Sequence, residues 1–408
     1  MTLRFVTDLP EEEMDRFVTG SSQNSLYQCS TWAKVKNNWK SVRTGIYEDG
    51  RLAGTALVLI RPLAAGMTLA YIPRGPVMDY GNREHVKFYL DSLKKLARQN
   101  RAIVLRFDPS LFSRKYAWSS KDDDNPYMNQ DVIDLLTEYG ARHRGFTKRI
   151  EEATQPRFNA AMDVDENWRG RLIKNTRQSI RTAEKRGVEV LEGHEYLHLF
   201  AEAMHYTETR QKVALRNEEY FRNMLNAYGD HARIMVAVLN FAHQQERLEN
   251  DLAQAKALLQ KASSKKEINA LNLRIRNDES DLERNRKDWD EEGREEVVLC
   301  GKLVCFNEKR MEFFYMGNNT KYMRVRANYY LYARFLDLCA QMKIPYCSFG
   351  GIEGTLDDGL TQFKSAWPIN IEEYIGEFNI VLNPFMYGLF DRVYPKLLKL
   401  AAKIRGNS

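Results

Sequence analysis

No run of apolar residues in this chain approaches the ~20 that a bilayer-crossing helix needs, so no membrane span is expected. The opening residues, MTLRFVTDLPEEEMD, lack the apolar core of a secretory leader. Cysteine is sparse, with five in 408 residues and no C-x-x-C pair. Cys29, Cys300, Cys305, Cys339 and Cys347 sit among apolar neighbours, as reduced structural thiols do, and this points to the cytoplasm. A P-loop, a dinucleotide fingerprint and a cysteine-nucleophile arrangement are also missing. Neither sign of charge dominates: the net +6 permits a polyanionic partner without demanding one. Proline and glycine are absent from Ala242 to Glu292, which leaves room for long uninterrupted helices.

What remains is the composition of a globular protein, 43% hydrophobic and 28% charged, long enough for two domains. The first, residues 1–150, reads as a short strand, then helices from Pro10 and Ser30, then strands Val42–Glu48, Leu52–Ile60 and Thr68–Ile72. Asp49-Gly50 is a two-residue hairpin turn. After the bend Pro73-Arg74-Gly75-Pro76 come a helix, Arg83–Gln99, and a strand, Ala102–Phe107, ending at Asp108-Pro109. A polar stretch, Ser113 to Asn125, reads as a loop. Residues 151–241 and 297–383 repeat the order strand, strand, strand, glycine-containing bend, helix, strand, which points to a duplicated α/β unit. In the second copy the Asp49-Gly50 turn is replaced by the insertion at 242–296. Leu248, Leu252, Ala255 and Leu259, then Ile268, Leu271, Ile275 and Leu282, form a heptad seam broken at Ser263-Ser264. The expected product is an antiparallel coiled-coil hairpin projecting into solvent, with arms on the order of 30 Å long.

The stretch Tyr346–Asn379, YCSFGGIEGTLDDGLTQFKSAWPINIEEYIGEFN, is the best candidate for chemistry. A strand is expected from Tyr346 to Phe349, broken by Gly350-Gly351, and a second from Tyr374 to Asn379. Between them Phe363-Lys364 puts one cation among aromatics. The segment RLIKNTRQSIRTAEKR lines up Lys174, Arg177, Arg181 and Lys185 on one helical face, with Arg169 and Arg171 nearby, as phosphate-binding stripes do. A last helix, within 384–405, carries Lys396, Lys399, Lys403 and Arg405 around Leu397, Leu400 and Ile404, and reads as a docking helix or one lying on an anionic membrane surface. Two motifs read as false. His194-Glu195-Tyr196-Leu197-His198 matches H-E-x-x-H, but a zinc site needs both histidines inside one helix and Gly193 puts the first at a helix start; a zinc hydrolase through His194 and His198 is the rival reading. Arg51-Leu52-Ala53-Gly54-Thr55-Ala56 resembles a pyrophosphate loop but runs into β-branched strand rather than a helix.

Taken together, YIPRGPVMDY, KNTRQSIRTAEKRGV, SFGGIEG, QFKSAWP, EYIGEFN, the duplication and the hairpin resemble the FemABX aminoacyltransferases over nearly the whole chain. The resemblance implies an α/β fold of two GNAT-like domains with an inserted helical arm. It implies transfer of an amino acid from aminoacyl-tRNA to the stem-peptide lysine, or an existing branch, of lipid II or a UDP-linked muropeptide precursor. That reaction builds the peptidoglycan cross-bridge. Members acting on the soluble precursor can lack the arm, so its presence favours lipid II and contact with the inner membrane face. By the same resemblance Lys36 contacts substrate phosphates, Arg216 and Tyr220 keep an Arg-x-x-x-Tyr pair on a peptide-binding helix, and Tyr315 contacts substrate. Phe363-Lys364 matches the transfer centre, Asp108 a carboxylate considered as base, and Arg74 a further cleft residue.

The chemistry suits these residue types. An aminoacyl ester is already activated, so no ATP, metal or other cofactor is expected. The acceptor amine must be neutral and the developing oxyanion held, and Lys364 supplies a cation for the second task. A non-catalytic RNA- or membrane-binding scaffold is the remaining rival.

Overall fold

A computed structural model describes residues 2–211 and 216–391. Six strands come first: β1 (Leu3–Val6), β2 (Lys40–Glu48), β3 (Arg51–Pro62), β4 (Thr68–Ile72), β5 (Val77–Met78) and β6 (Ala102–Phe107). Then follow β7 (Phe112–Ala117), β8 (Arg142–His143), β9 (Phe158–Asp163), β10 (Val188–Glu192) and β11 (Ala232–Asn240). The last five are β12 (Glu296–Phe306), β13 (Met311–Asn318), β14 (Tyr346–Ile352), β15 (Asn370–Tyr374) and β16 (Phe378–Val381).

They form two mixed sheets, β1-β2-β3-β4-β6-β16-β8 with β5 on β3, and β10-β11-β12-β13-β14-β9-β15-β7. The duplication is visible in the pairing. β1 to β4 are antiparallel and β6 joins β4 in parallel. β10 to β13 are antiparallel and β14 joins β13 in parallel. The parallel step needs a crossover, supplied by helix Arg83–Gln99 in one copy and Ala327–Gln341 in the other.

The sheets exchange strands. β7, from the first part of the chain, pairs with β15 in the second sheet, and β16 pairs with β6 and β8 in the first. Ser113 to Asn125 is therefore not all loop. β7 hides from a polarity count because its charges are matched: Lys115 meets Glu372 at 3.3 Å and Arg114 lies 3.8 Å under Tyr127. Similarly, the strand expected from Tyr374 to Asn379 is two. Gly376, at φ 102°, turns the chain out of β15 and into β16 of the other sheet.

Three of the four core clusters among the described residues alternate with the sheets; the fourth, Leu69, Tyr71, Ile103 and Val104, lies under Met386 and Tyr387. One lies on the outer face of the first sheet under helix Arg83–Gln99. One lies on the outer face of the second sheet under Ala327–Gln341 and Lys174–Lys185. The third joins the units, packing Met14, Val18, Trp32 and Leu57 against Phe200, Phe221 and Ile234. The insertion forms helices Phe241–Lys261 and Lys265–Glu292. Leu248, Ala255 and Leu282 are buried between them, and Arg274–Asp251 at 2.9 Å and Lys256–Glu279 at 2.9 Å clasp the two arms. Residues 384–391 are helical; Lys396, Lys399, Lys403 and Arg405 of the expected last helix lie outside the described residues.

Candidate active site

The first cluster sits where the units meet. Lys36 terminates helix Ser30–Val35 of the first unit and faces helix Glu218–Tyr228 of the second. Its ammonium lies 3.4 Å from the Tyr220 hydroxyl and 4.9 Å from the Trp32 ring centroid. Tyr315, on β13, donates to the Tyr220 hydroxyl at 3.1 Å, and Arg216 lies 5.0 Å over the Tyr220 ring. Thus Lys36, Arg216, Tyr220 and Tyr315, four residues spread over most of the chain, share one place. Burial, then the Arg216 charge, draws the Lys36 pKa down to about 8. The group retains cationic character at neutral pH with no carboxylate partner among the described residues, which suits a substrate phosphate.

Tyr27 and Phe314 connect this cluster to a cavity of about 170 Å³ lined by Arg74, Arg310, Glu312, Gly350 and Gly351. Arg74 stands at φ 53°, fixed by the buried Asp108: its N–H donates to Oδ1 at 3.1 Å and its guanidinium lies 3.6 Å from Oδ2. The guanidinium also donates to the Pro156 carbonyl at 2.7 Å and lies 3.6 Å over the Tyr374 ring. Burial opposes the Arg74 charge, yet Tyr374 and Asp108 outweigh it and the pKa stays above its usual value. Burial raises Asp108 to about 7, against the pull of Arg74 and with a push from Glu377. Asp108 sits behind Arg74 rather than on the cavity wall.

Lys364 is under the same wall. The strand expected to break at Gly350-Gly351 continues to Ile352 through a bulge, with Gly350 at φ 81°. The bulge turns two carbonyls toward one point, and the Lys364 ammonium donates to Gly350 O at 3.1 Å and Gly351 O at 2.8 Å. Lys364 lies on a short helix, Gly359–Ser365, because Asp358 caps it, accepting from Leu360 N at 2.8 Å and Thr361 N at 3.1 Å. Phe363 packs against Tyr329 and Tyr332, on the core side. Lys364 is 3% exposed, and burial, opposed by Asp358, pulls its pKa down to about 7.

The basic helix, Lys174–Lys185, buries Thr176, Ile180 and Ala183 and exposes Lys174, Arg177, Arg181 and Lys185 on the opposite face. None of the four is in an ion pair among the described residues. Their neighbours are spent: Arg169 pairs with Asp337 and Arg171 with Asp165, so those two do not extend the stripe. Thr176 Oγ1 donates to Ala366 O at 2.5 Å, fixing the stripe helix to the end of the Lys364 helix. His194 and His198 occupy different elements, and each ring meets a backbone carbonyl, of Ala232 and Glu195. Among the described residues no group of three or more histidine, cysteine or acidic side chains converges as a metal site.

Sequence reasoning missed Arg310 and Glu312, which pair at 2.5 Å inside the cavity wall, and Lys302. Lys302 is fully buried on β12 with its ammonium 3.9 Å from the Tyr332 ring centroid. A lone lysine inside the apolar run VVLCGKLVCF was the available signal.

Two copies of one mixed α/β unit, joined through a shared core with a helical hairpin inserted in the second, make this a tandem GNAT-like protein. The model of the FemAB family matches residues 9–395, and the chain belongs to that family. A lipid II:glycine glycyltransferase of Staphylococcus aureus (strain MRSA252) is 27% identical over 424 residues, covering 97% of each chain. That of strain bovine RF122 / ET3-1 is 28% identical over the same span, again covering 97% of each. The crystal structure of FemX superposes with a TM-score of 0.73 at 24% identity, covering 96% of this chain and 100% of that one, so the fold is shared end to end. No helix among the described residues is long and apolar enough to cross a membrane.

Proposed function

We propose that this protein transfers an amino acid from aminoacyl-tRNA to the stem-peptide lysine, or a branch already on it, of lipid II, building the peptidoglycan cross-bridge. The observation that carries this reading is the match to lipid II:glycine glycyltransferases over 97% of both chains, hairpin included. Lys36, Arg216, Tyr220 and Tyr315 hold the phosphate and peptide end of the acceptor in the junction cluster. Arg74 orients the acceptor in the cavity. The stripe Lys174, Arg177, Arg181 and Lys185 takes the tRNA backbone, and being unpaired it offers counterion release without first breaking salt bridges. Phe363 and Lys364 serve the transfer centre.

An amide forms when the neutral acceptor amine attacks the ester carbonyl, the carbonyl oxygen gains charge, and the tRNA hydroxyl leaves with a proton. Lys364 stabilises negative charge on that oxygen or on the leaving hydroxyl. The Gly350 and Gly351 carbonyls, which line the cavity, hold its ammonium directly under the wall. Asp108 holds Arg74 in place; a carboxyl near pKa 7 is also matched to proton acceptance at neutral pH. Positioning two large substrates supplies much of the remaining acceleration. The test is incubation of the purified protein with lipid II and a mixture of charged tRNAs, reading product mass. Lipid II heavier by one amino-acid residue is the expected result. Modification of the UDP-linked precursor alone, or no product with any charged tRNA, overturns it.

A further inference from the structure

A second cavity, of about 280 Å³, lies across the second sheet from the first. Alternation along β15 places Tyr374 in one cavity and Glu373 in the other. Two exposed rings stand at this second cavity, Tyr127 at 63% and Phe146 at 46% exposure. Large exposed aromatics are few in this molecule; among the described residues the only other is Phe385. Each ring has a guanidinium against it: Arg114 lies 3.8 Å from the Tyr127 centroid, and Arg157 lies 5.3 Å from Phe146 and 4.2 Å from the buried Phe158. Lys148 adds a third cation. The single carboxylate, Glu373, is already engaged by Arg157 at 3.4 Å and by the Tyr116 hydroxyl at 2.8 Å. Arg114 has no carboxylate partner, and its buried Nε has no hydrogen-bond partner among the described residues.

The cavity adjoins the transfer centre. Gly354 N donates to Lys148 O at 2.6 Å, three residues beyond the Gly351 carbonyl that holds Lys364. At the end of the Lys364 helix, Ala366 O accepts from Thr176 Oγ1 of the basic helix at 2.5 Å. Exposed rings layered on guanidinium groups, with surplus positive charge, are what an unpaired nucleotide requires: a π-face for the base and donors for the phosphate.

We infer that this cavity binds an unpaired nucleotide of the donor's single-stranded end, its base stacked on Tyr127 and Phe146 and its phosphate on Arg114 and Lys148. The assignment rests on aminoacyl-tRNA being the donor. A uridine nucleotide of a soluble precursor offers the same chemistry, but the adjoining stripe favours RNA. The test is equilibrium binding of the uncharged trinucleotide CCA, with UMP in a parallel arm, to the full chain and to Tyr127→Ala and Phe146→Ala. Both rings are exposed, so both variants should fold, which circular dichroism checks. Each variant should bind the trinucleotide about tenfold more weakly, the value of one lost stack. Unchanged trinucleotide binding, or tighter binding of UMP than of the trinucleotide, overturns the assignment. If no charged tRNA supports transfer but the trinucleotide binds and both variants lose it, the proposed reaction falls and the cavity stands. If transfer proceeds and neither variant moves the donor KM or trinucleotide binding, the reaction stands and the cavity assignment falls.

Discussion

The two copies of the α/β unit each bury a cation beside the end of the strand that follows the crossover helix, and they treat it in opposite ways. In the first copy Arg74 lies 3.6 Å from Asp108, and its pKa stays above the usual value despite burial. In the second copy the Lys364 ammonium bonds, among the described residues, only the Gly350 and Gly351 carbonyls; the Asp358 charge offsets burial only in part, and its pKa falls to about 7. Carbonyl dipoles orient an ammonium without supplying the opposite charge that keeps its proton firmly bound. One duplicated scaffold thus yields a fixed clamp and a cation whose charge responds to what approaches it. On the proposed function, an anionic substrate supplies the missing negative charge and restores the proton to Lys364.

The largest expected effect breaks the second half of this comparison. Lys364→Met should lower transfer by at least about 10²-fold, the scale of a lost oxyanion donor, with an unchanged circular dichroism spectrum. Near-normal turnover would remove Lys364 from the mechanism. The next sharpens the first half. Both Asp108→Asn and Asp108→Ala remove the counter-charge, but the asparagine keeps an oxygen for the Arg74 N–H, which the alanine leaves buried without its acceptor. Turnover should therefore fall roughly 10- to 100-fold in the alanine variant and markedly less in the asparagine one. Equal losses would instead make Asp108 the proton acceptor. The smallest effect lies outside both sites. Lys174→Glu with Arg181→Glu should raise the donor KM roughly tenfold at low salt, and the difference should fade near 1 M salt. A salt-independent change would count against a phosphate contact.

Much of the fold was legible because its signals are local. The Asp49-Gly50 turn, with φ of 47° and 85°, and the proline-free hairpin follow from short-range chemistry. The Lys36, Arg216, Tyr220 and Tyr315 cluster was reachable only through resemblance, since nothing in spacing brings residues 36 and 315 together. The strand exchange was not legible. β7 carries charges that only its partners neutralise, and β15 and β16 are separated by a three-residue crossing at Gly376 that reads as one strand. The bulge at Phe349-Gly350 reads as a break because glycine signals both, and only the pairing with β9 distinguishes them.

The pH dependence of donor kcat/KM in the wild type and in Lys364→Arg tests the claim about the two cations most directly. The wild-type lysine loses its charge as pH rises through about 7, whereas arginine stays charged throughout. The acceptor amine titrates identically in both proteins, so the ratio of wild type to variant isolates residue 364. That ratio should fall with rising pH between about 6 and 9. A ratio that stays constant over this range would contradict the account.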